Sequence, residues 1–195
     1  MKDRSSAISG RGGGPMAEAL TRLGYLAGVV ALLPLLADGV LPLTPLVAAA
    51  AGSHAPMLHV VTAFFVGMAC GQLLLAAGGR DERARAAMIG AMALAISGCV
   101  AMALARDPLV LTAGRFAQGV AVGAGIAIAR ALAFSLKREG GAAAASLGWL
   151  NVVAALMATA APILNGVLAD ASDWRLALLV PAALAVVVAI AWPIE

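Results

Sequence analysis

Six long apolar stretches constrain this chain more than any other feature of its sequence. Each is about 20 residues or longer, the length that an α-helix needs to cross the hydrocarbon core of a bilayer. With 63% hydrophobic and 12% charged residues, the chain is far more apolar than a water-soluble domain, where about 50% and 25% are usual. We therefore predict an all-α membrane protein with six transmembrane helices. The predicted spans cover residues 23–51, 57–77, 86–105, 109–135, 143–168 and 174–193.

The segments outside the spans are short and leave no room for a soluble domain. Residues 1–22 are polar, basic and rich in glycine toward their start, a composition typical of disorder. The first apolar run is too long for a cleaved signal peptide. The predicted organisation is a disordered cytoplasmic tail over residues 1–22 and a six-helix transmembrane bundle over residues 23–195.

Basic residues predict the orientation of the bundle. Nine of the 13 Lys and Arg residues lie in the tail and in the second-to-third and fourth-to-fifth connections. The first-to-second connection has none, and the fifth-to-sixth connection carries only the acids Asp170 and Asp173. Because cytoplasmic connections are enriched in Lys and Arg, both termini are predicted to be cytoplasmic.

Composition and motifs disfavour several classes of function. A net charge of +3, scattered along the chain, is too small for a nucleic-acid-binding face. The sequence has no serine-nucleophile motif, no zinc-protease motif and no phosphate-binding loop. His54 and His59 are five residues apart and would not share a helix face, so we predict no metal site. We expect no enzyme, no cofactor and no nucleic-acid partner.

One acidic residue, Asp38, lies well inside the first predicted span. A charge at the centre of a bilayer costs on the order of 2.5–3.5 kcal/mol. Pro42 and Pro45 follow it and lack the backbone N–H groups that a continuous helix would use. The pattern predicts a helix that is broken beside a carboxylate, as in helices that line a transport cavity. The alternative is a structural acid that pairs with another helix.

The fourth predicted span carries a polar strip. Arg115 is about seven residues from its outer end, which places it roughly 10 Å deep. Gln118, Gly119 and Gly123 follow, and such a strip is typical of a helix that faces protein or water. We predict that Arg115 and Gln118 line a cavity together with Asp38, although Arg115 could also extend its side chain toward the outer surface.

Other polar side chains within the spans are candidates for the lining of the same cavity. For Arg130, near the cytoplasmic end of the fourth span, extension of the side chain to the surface is an equally good explanation. The remaining candidates are Thr44, Asn151 and Thr159.

Three segments together resemble a known family of transporters. Residues 38–45, Asp-Gly-Val-Leu-Pro-Leu-Thr-Pro, are similar to a stretch in the first helix of drug:proton antiporters of the major facilitator superfamily. Residues 115–119, Arg-Phe-Ala-Gln-Gly, match the superfamily's Arg-x-x-Gln-Gly motif. Residues 161–166, Ala-Pro-Ile-Leu-Asn-Gly, resemble the antiporter motif Gly-Pro-x-x-Gly-Gly. Residues 129–131 are similar to the bicyclomycin/chloramphenicol-resistance branch, and residues 173–175 resemble the family's usual entry to the sixth helix.

The chain departs from the family pattern in two places. In the second-to-third connection the usual charged motif is scrambled, with Asp81 out of register. In the fifth span Ala161 and Asn165 replace glycines, and we therefore expect looser packing against a neighbouring helix.

The resemblance implies a fold and a set of packing residues. The fold is one half of a major facilitator, six helices in two inverted three-helix repeats, in the plasma (inner) membrane. The family fold has two such halves, which implies either a homodimer or a missing second half. The residues to which the resemblance assigns helix packing or gating are Pro42, Pro45, Gly119, Gly123, Pro162 and Gly166.

Two functions remain open at this point. The first is proton-coupled export of small, partly apolar, drug-like compounds, in which Asp38 takes up a proton from outside and releases it inward. Its partners would be protons, a small-molecule substrate and the lipid bilayer. The second is a truncated or non-transporting membrane protein that needs a second half or a dimer partner.

Overall fold

The computed structural model of the protein describes residues 15–50, 55–76, 84–139 and 141–190. The first 14 residues of the predicted tail, His54 and the connection that holds Asp81 lie outside the described residues. All regular structure within the described residues is helical. The helices are α1 (Pro15–Ala37), α2 (Thr44–Ala50), α3 (Ala55–Ala76), α4 (Ala84–Leu104), α5 (Pro108–Glu139), α6 (Gly141–Ala171), α7 (Trp174–Ala177) and α8 (Leu179–Ile190), with a 3-10 turn at Leu41–Leu43.

The helices confirm the predicted all-α membrane architecture. Five stretches of the described chain are long and apolar enough to cross a membrane, and the sixth apolar helix is shorter. The five are Leu23–Ala49, Leu58–Leu75, Arg85–Leu104, Pro108–Ala131 and Gly148–Ala171, and the sixth is Trp174–Ile190. Their boundaries agree with the sequence prediction to within a few residues, except that α1 begins at Pro15 rather than near residue 23.

The first span is interrupted beside Asp38. The last hydrogen bond of α1 runs from the Asp38 N–H to the Pro34 carbonyl, at 2.7 Å. The chain then turns, and the Leu41 N–H donates to the Asp38 carbonyl at 3.0 Å. Pro42 has no N–H to continue the α-helical ladder, so a 3-10 turn follows before α2 begins at Thr44. The span is therefore broken where its prolines predicted.

A second interruption, not expected from the sequence, divides the sixth span at Leu178. Asp173 begins α7 as an N-cap, with its carboxylate accepting from the Arg175 backbone N–H at 3.0 Å. Pro181 has no N–H group to donate to the Ala177 carbonyl, so a continuous helix through this point would lose a hydrogen bond. In α8 it lies in the first turn, where no N–H is needed.

Helices α3 and α5 make the most extensive contact in the described structure. Gly67 and Gly71 on α3 interlock with Gly119 and Gly123 on α5. A Cβ atom at any of the four positions would overlap a backbone carbonyl oxygen of the other helix. The two backbones can approach this closely only because all four residues lack a side chain.

Helix α5 lies at the centre of the bundle. On its other side it crosses α4 at Gly98 and Gly114, which also contact each other's backbone closely, and it packs against α1 as well. Helix α1 packs on α6, and α4 packs on α8. If the first three spans form one repeat and the last three form the other, α3 corresponds to α6 and α5 corresponds to α1. The α3–α5 pair then corresponds to the α6–α1 pair. The contacts therefore follow the pattern expected of two three-helix repeats.

Candidate functional site

The buried polar groups of the bundle converge on the interruption of the first span. Within the described residues, three side chains of polar or charged residues are buried: Arg115, Gln118 and Asn165, with exposed fractions of 4%, 1% and 0%. The first two belong to α5 and the third to α6. Arg115 and Asn165 both hydrogen-bond to backbone carbonyls at the end of α1.

Arg115 binds the C-terminal end of α1 with both of its terminal nitrogens. Its Nη1 donates to the Leu36 carbonyl at 2.6 Å, and its Nη2 donates to the Ala37 carbonyl at 2.7 Å. The last carbonyls of a helix have no partner within the helix and carry partial negative charge. A guanidinium, with its rigid fork of donors, satisfies two of them at once. Arg115 is thus a C-cap that is supplied by another helix.

Two further contacts hold the Arg115 side chain in place. Its Nη1 also donates to Gln118 Oε1 at 2.8 Å, and its Cζ lies 4.0 Å from the centroid of the Phe64 ring on α3. Gln118 in turn donates from Nε2 to Cys99 Sγ on α4 at 3.1 Å. The cation is therefore positioned by α1, α3 and α5, and Gln118 connects it to α4.

Asp38 is half-buried in the turn that directly follows the carbonyls bound by Arg115. The two opposite charges are close enough to interact electrostatically. No ion pair joins the Asp38 carboxylate to another residue in the part of the chain that the structure describes. Arg115 therefore makes its three hydrogen bonds without the Asp38 carboxylate.

Asn165 is a buried contact that sequence reasoning missed. Its Nδ2 donates to the Gly39 carbonyl at 2.9 Å. That carbonyl has no helical donor, because the residue three positions on is Pro42 and the Leu43 N–H bonds to Val40 instead. Asn165 thus satisfies a carbonyl that the break leaves free.

Helix α6 and the turn after α1 approach closely at this motif, and packing looser than in the family stays a prediction. A Cβ at Gly39 would overlap the Asn165 amide, and Ala161 is completely buried. One position further, a Cβ at Gly166 would lie 3.7 Å from Pro42 Cβ, an ordinary contact distance. The signal that could have revealed Asn165 was a lone amide in an apolar run at a position where the motif has glycine.

The other sequence candidates do not join this cluster. Thr44 donates to the Leu41 carbonyl of its own turn, and Thr159 donates to the Ala155 carbonyl of its own helix at 3.1 Å. Asn151 and Arg130 are exposed. Pro162 lies inside α6, and Pro45 is exposed in the first turn of α2. Of the predicted cavity residues, the structure brings together Asp38, Arg115 and Gln118.

The chain was compared with models of protein families and with curated proteins. The family model described as Major Facilitator Superfamily matches residues 24–194, which include all six apolar helices and the whole polar cluster. A search of curated proteins finds no match to the chain.

Proposed function

The chain belongs to the major facilitator superfamily, and from that premise we propose that it exports small, partly apolar compounds in exchange for protons. The superfamily consists of membrane transporters, and the apolar helices make this chain an integral membrane protein. Proton coupling, the export direction and a drug-like substrate are the parts that we propose. We also propose that the protein lies in the plasma (inner) membrane with both termini in the cytoplasm, which the distribution of Lys and Arg supports.

The observation that carries the proposal is the capping of a broken span by a buried cation beside a carboxylate. Buried arginines within membrane spans are costly, and Arg115 is held by three hydrogen bonds beside the break. A continuous helix satisfies its own backbone carbonyls. A span with a purely structural role would therefore need neither the break nor a charged partner.

Asp38 is the proposed proton carrier. A low-dielectric setting disfavours the charged form of a carboxylate. A change in the conformation of its helix that alters its exposure is therefore coupled to uptake or release of a proton. Protonation removes the negative charge beside Arg115 and allows the turn at residues 38–40 to enter a more apolar environment. In the exchange, the proton enters from outside as the substrate leaves, and the carboxylate is regenerated on the cytoplasmic side.

A transport cavity needs a second wall, which a second six-helix bundle would supply. Helices α3 and α6 contain the two least buried of the five long apolar stretches. Large apolar side chains such as Leu73, Leu74 and Leu156 are each more than half exposed on them. We propose that these two helices pack against a second bundle, either another copy of this chain or a second half.

Transport into proteoliposomes tests the proposal. The purified protein is reconstituted into vesicles with an acidic interior, and uptake of chloramphenicol or of ethidium is followed with time. We expect uptake that requires the pH gradient and stops when an ionophore removes it. Asp38→Asn should abolish the proton-driven uptake while the protein stays folded, because a neutral amide is easier to bury than a carboxylate. Ser97→Ala, an exposed position on α4, is the matched control and should transport normally.

Two results would reject the proposal. Uptake by Asp38→Asn that still follows the pH gradient would remove Asp38 as the proton carrier. Absence of proton-driven uptake of either probe by folded wild-type protein, verified as paired bundles by cross-linking, would favour the non-transporting alternative instead.

A further inference from the structure

The amide of Asn165 has one satisfied end and one unsatisfied end. Its Nδ2 bonds to the Gly39 carbonyl, but its Oδ1 is buried and has no hydrogen-bond partner among the described residues. The amide cannot turn over to exchange the two atoms, since the Gly39 carbonyl only accepts and would then face Oδ1. The Gly39 contact therefore fixes Oδ1 as a free acceptor inside the protein.

A buried acceptor without a donor is costly. Leaving such a group unpaired costs about 1–3 kcal/mol, and the great majority of buried polar atoms in proteins have partners. An apolar or small residue at this position would have no unpaired oxygen, although the Gly39 carbonyl would then lose its donor. The unpaired oxygen thus points to a second state of the protein in which a donor reaches it.

The residue next to Gly39 can become such a donor. Asp38 immediately precedes the residue whose carbonyl Asn165 holds, and its carboxylate is acceptor-only when ionised. After uptake of one proton it carries an O–H group, which is the donor that Oδ1 lacks. No other polar side chain in the described part of α6 is buried near this turn.

We propose that Asn165 is a positioning residue for proton coupling and that its Oδ1 accepts the hydrogen bond of protonated Asp38. This inference rests on the proposed function, in which Asp38 carries the proton. With Asp38 ionised, Asn165 holds only the Gly39 carbonyl. With Asp38 protonated, both ends of the amide bind the turn, which ties α6 to the break in the first span.

The charged surroundings of Asp38 are consistent with a neutral partner on α6. Arg115 on α5 binds the carbonyls of the two residues directly before Asp38 and so places a positive charge near this turn. The other elements that pack around this turn carry His59 and Cys70 on α3, Arg85 and Cys99 on α4, Asp170 on α6 and Arg175 on α7. The described residues of α8 carry no titratable side chain. Asn165 would therefore favour the protonated form without adding a charge to the membrane interior.

Infrared spectroscopy of the labelled protein tests this directly. The sequence contains only two asparagines, Asn151 and Asn165. Full-length protein in lipid, labelled with carbon-13 at the asparagine side-chain carbonyl, should show two amide bands. Asn151→Leu removes one of them and assigns the other to Asn165. A second sample, labelled at the aspartate carboxyl and compared with Asp38→Asn, reports when Asp38 is protonated.

We expect the Asn165 band to move to lower wavenumber over the same pH range in which Asp38 becomes protonated. The shift should be absent in Asp38→Ala, which removes the donor without adding a third labelled amide, and unchanged in Asn151→Leu. If Asp38 becomes protonated while the Asn165 band stays in place, the inference fails and the proposed function stands. If Asp38 stays ionised at every pH at which the protein is folded, both fail. The wild-type comparison decides between these results even if Asp38→Ala does not fold.

Discussion

Two arginines of this chain cap the ends of helices in different places, Arg115 with both of its terminal nitrogens and Arg175 with Nη1 alone. Arg115 binds the Leu36 and Ala37 carbonyls at the end of α1, and Arg175 binds the Ala103 and Ala105 carbonyls at the end of α4, at 2.5 and 3.0 Å. Each guanidinium also lies over an aromatic ring, with 4.6 Å between the Arg175 Cζ and the ring of Trp174.

The surroundings of the two caps differ. Arg175 begins the sixth span, is half-buried and caps a helix that ends in a loop, where water could replace it. Arg115 is almost completely buried and caps a helix that ends inside a span, beside Asp38. A cationic cap by itself is therefore a structural device. The interrupted span and the neighbouring carboxylate are what indicate function at Arg115.

Removal of the buried cap should have the largest effect on stability. Arg115→Ala leaves two carbonyls of α1 and the Gln118 amide oxygen without their donor in a dry interior. We expect the free energy of unfolding to fall by about 3 kcal/mol, with a lower yield of folded protein. Unfolding in mixed detergent micelles measures this change. A loss no larger than that of Arg175→Ala would show that burial does not distinguish the two caps.

A double substitution tests whether Arg115 mainly binds the α1 carbonyls or the Asp38 carboxylate. If its main partners are the α1 carbonyls, Asp38→Asn combined with Arg115→Ala should recover only part of the stability lost in Arg115→Ala. The carbonyls stay unpaired whichever residue stands at position 38. The same unfolding assay on both single variants and the double variant gives the coupling free energy. Complete recovery would instead mean that the carboxylate is the main partner of Arg115.

The smallest effect is expected at Arg175, the less buried of the two caps. Arg175→Ala should lower the free energy of unfolding by about 0.5–1 kcal/mol, the usual contribution of a cation at an accessible helix C-terminus. Proton-driven uptake should remain close to that of the wild type. The unfolding and uptake assays measure both quantities. A loss of stability equal to that of Arg115→Ala would place Arg175 among the residues on which the bundle depends.

The sequence was sufficient for some of these features because they depend on local chemistry. Apolar length predicts the spans, and Pro42 predicts the break, since a missing N–H acts within one turn of helix. The partners of Arg115 and Asn165 could not be predicted in this way. They depend on how α5 and α6 cross α1, which the sequence does not state. The sequence shows a buried charge, but it does not show which carbonyls the break leaves free.

The central claim is that the break in the first span, held by Arg115 beside Asp38, is the proton-coupling centre. The most direct test compares Arg115→Lys with Arg175→Lys at equal amounts of folded protein in proteoliposomes. Lysine keeps the positive charge but cannot reproduce the two-pronged contact of a guanidinium. The account predicts that Arg115→Lys loses most of its proton-driven uptake of chloramphenicol or ethidium, whereas Arg175→Lys keeps it. Equal uptake by the two folded variants would contradict the claim.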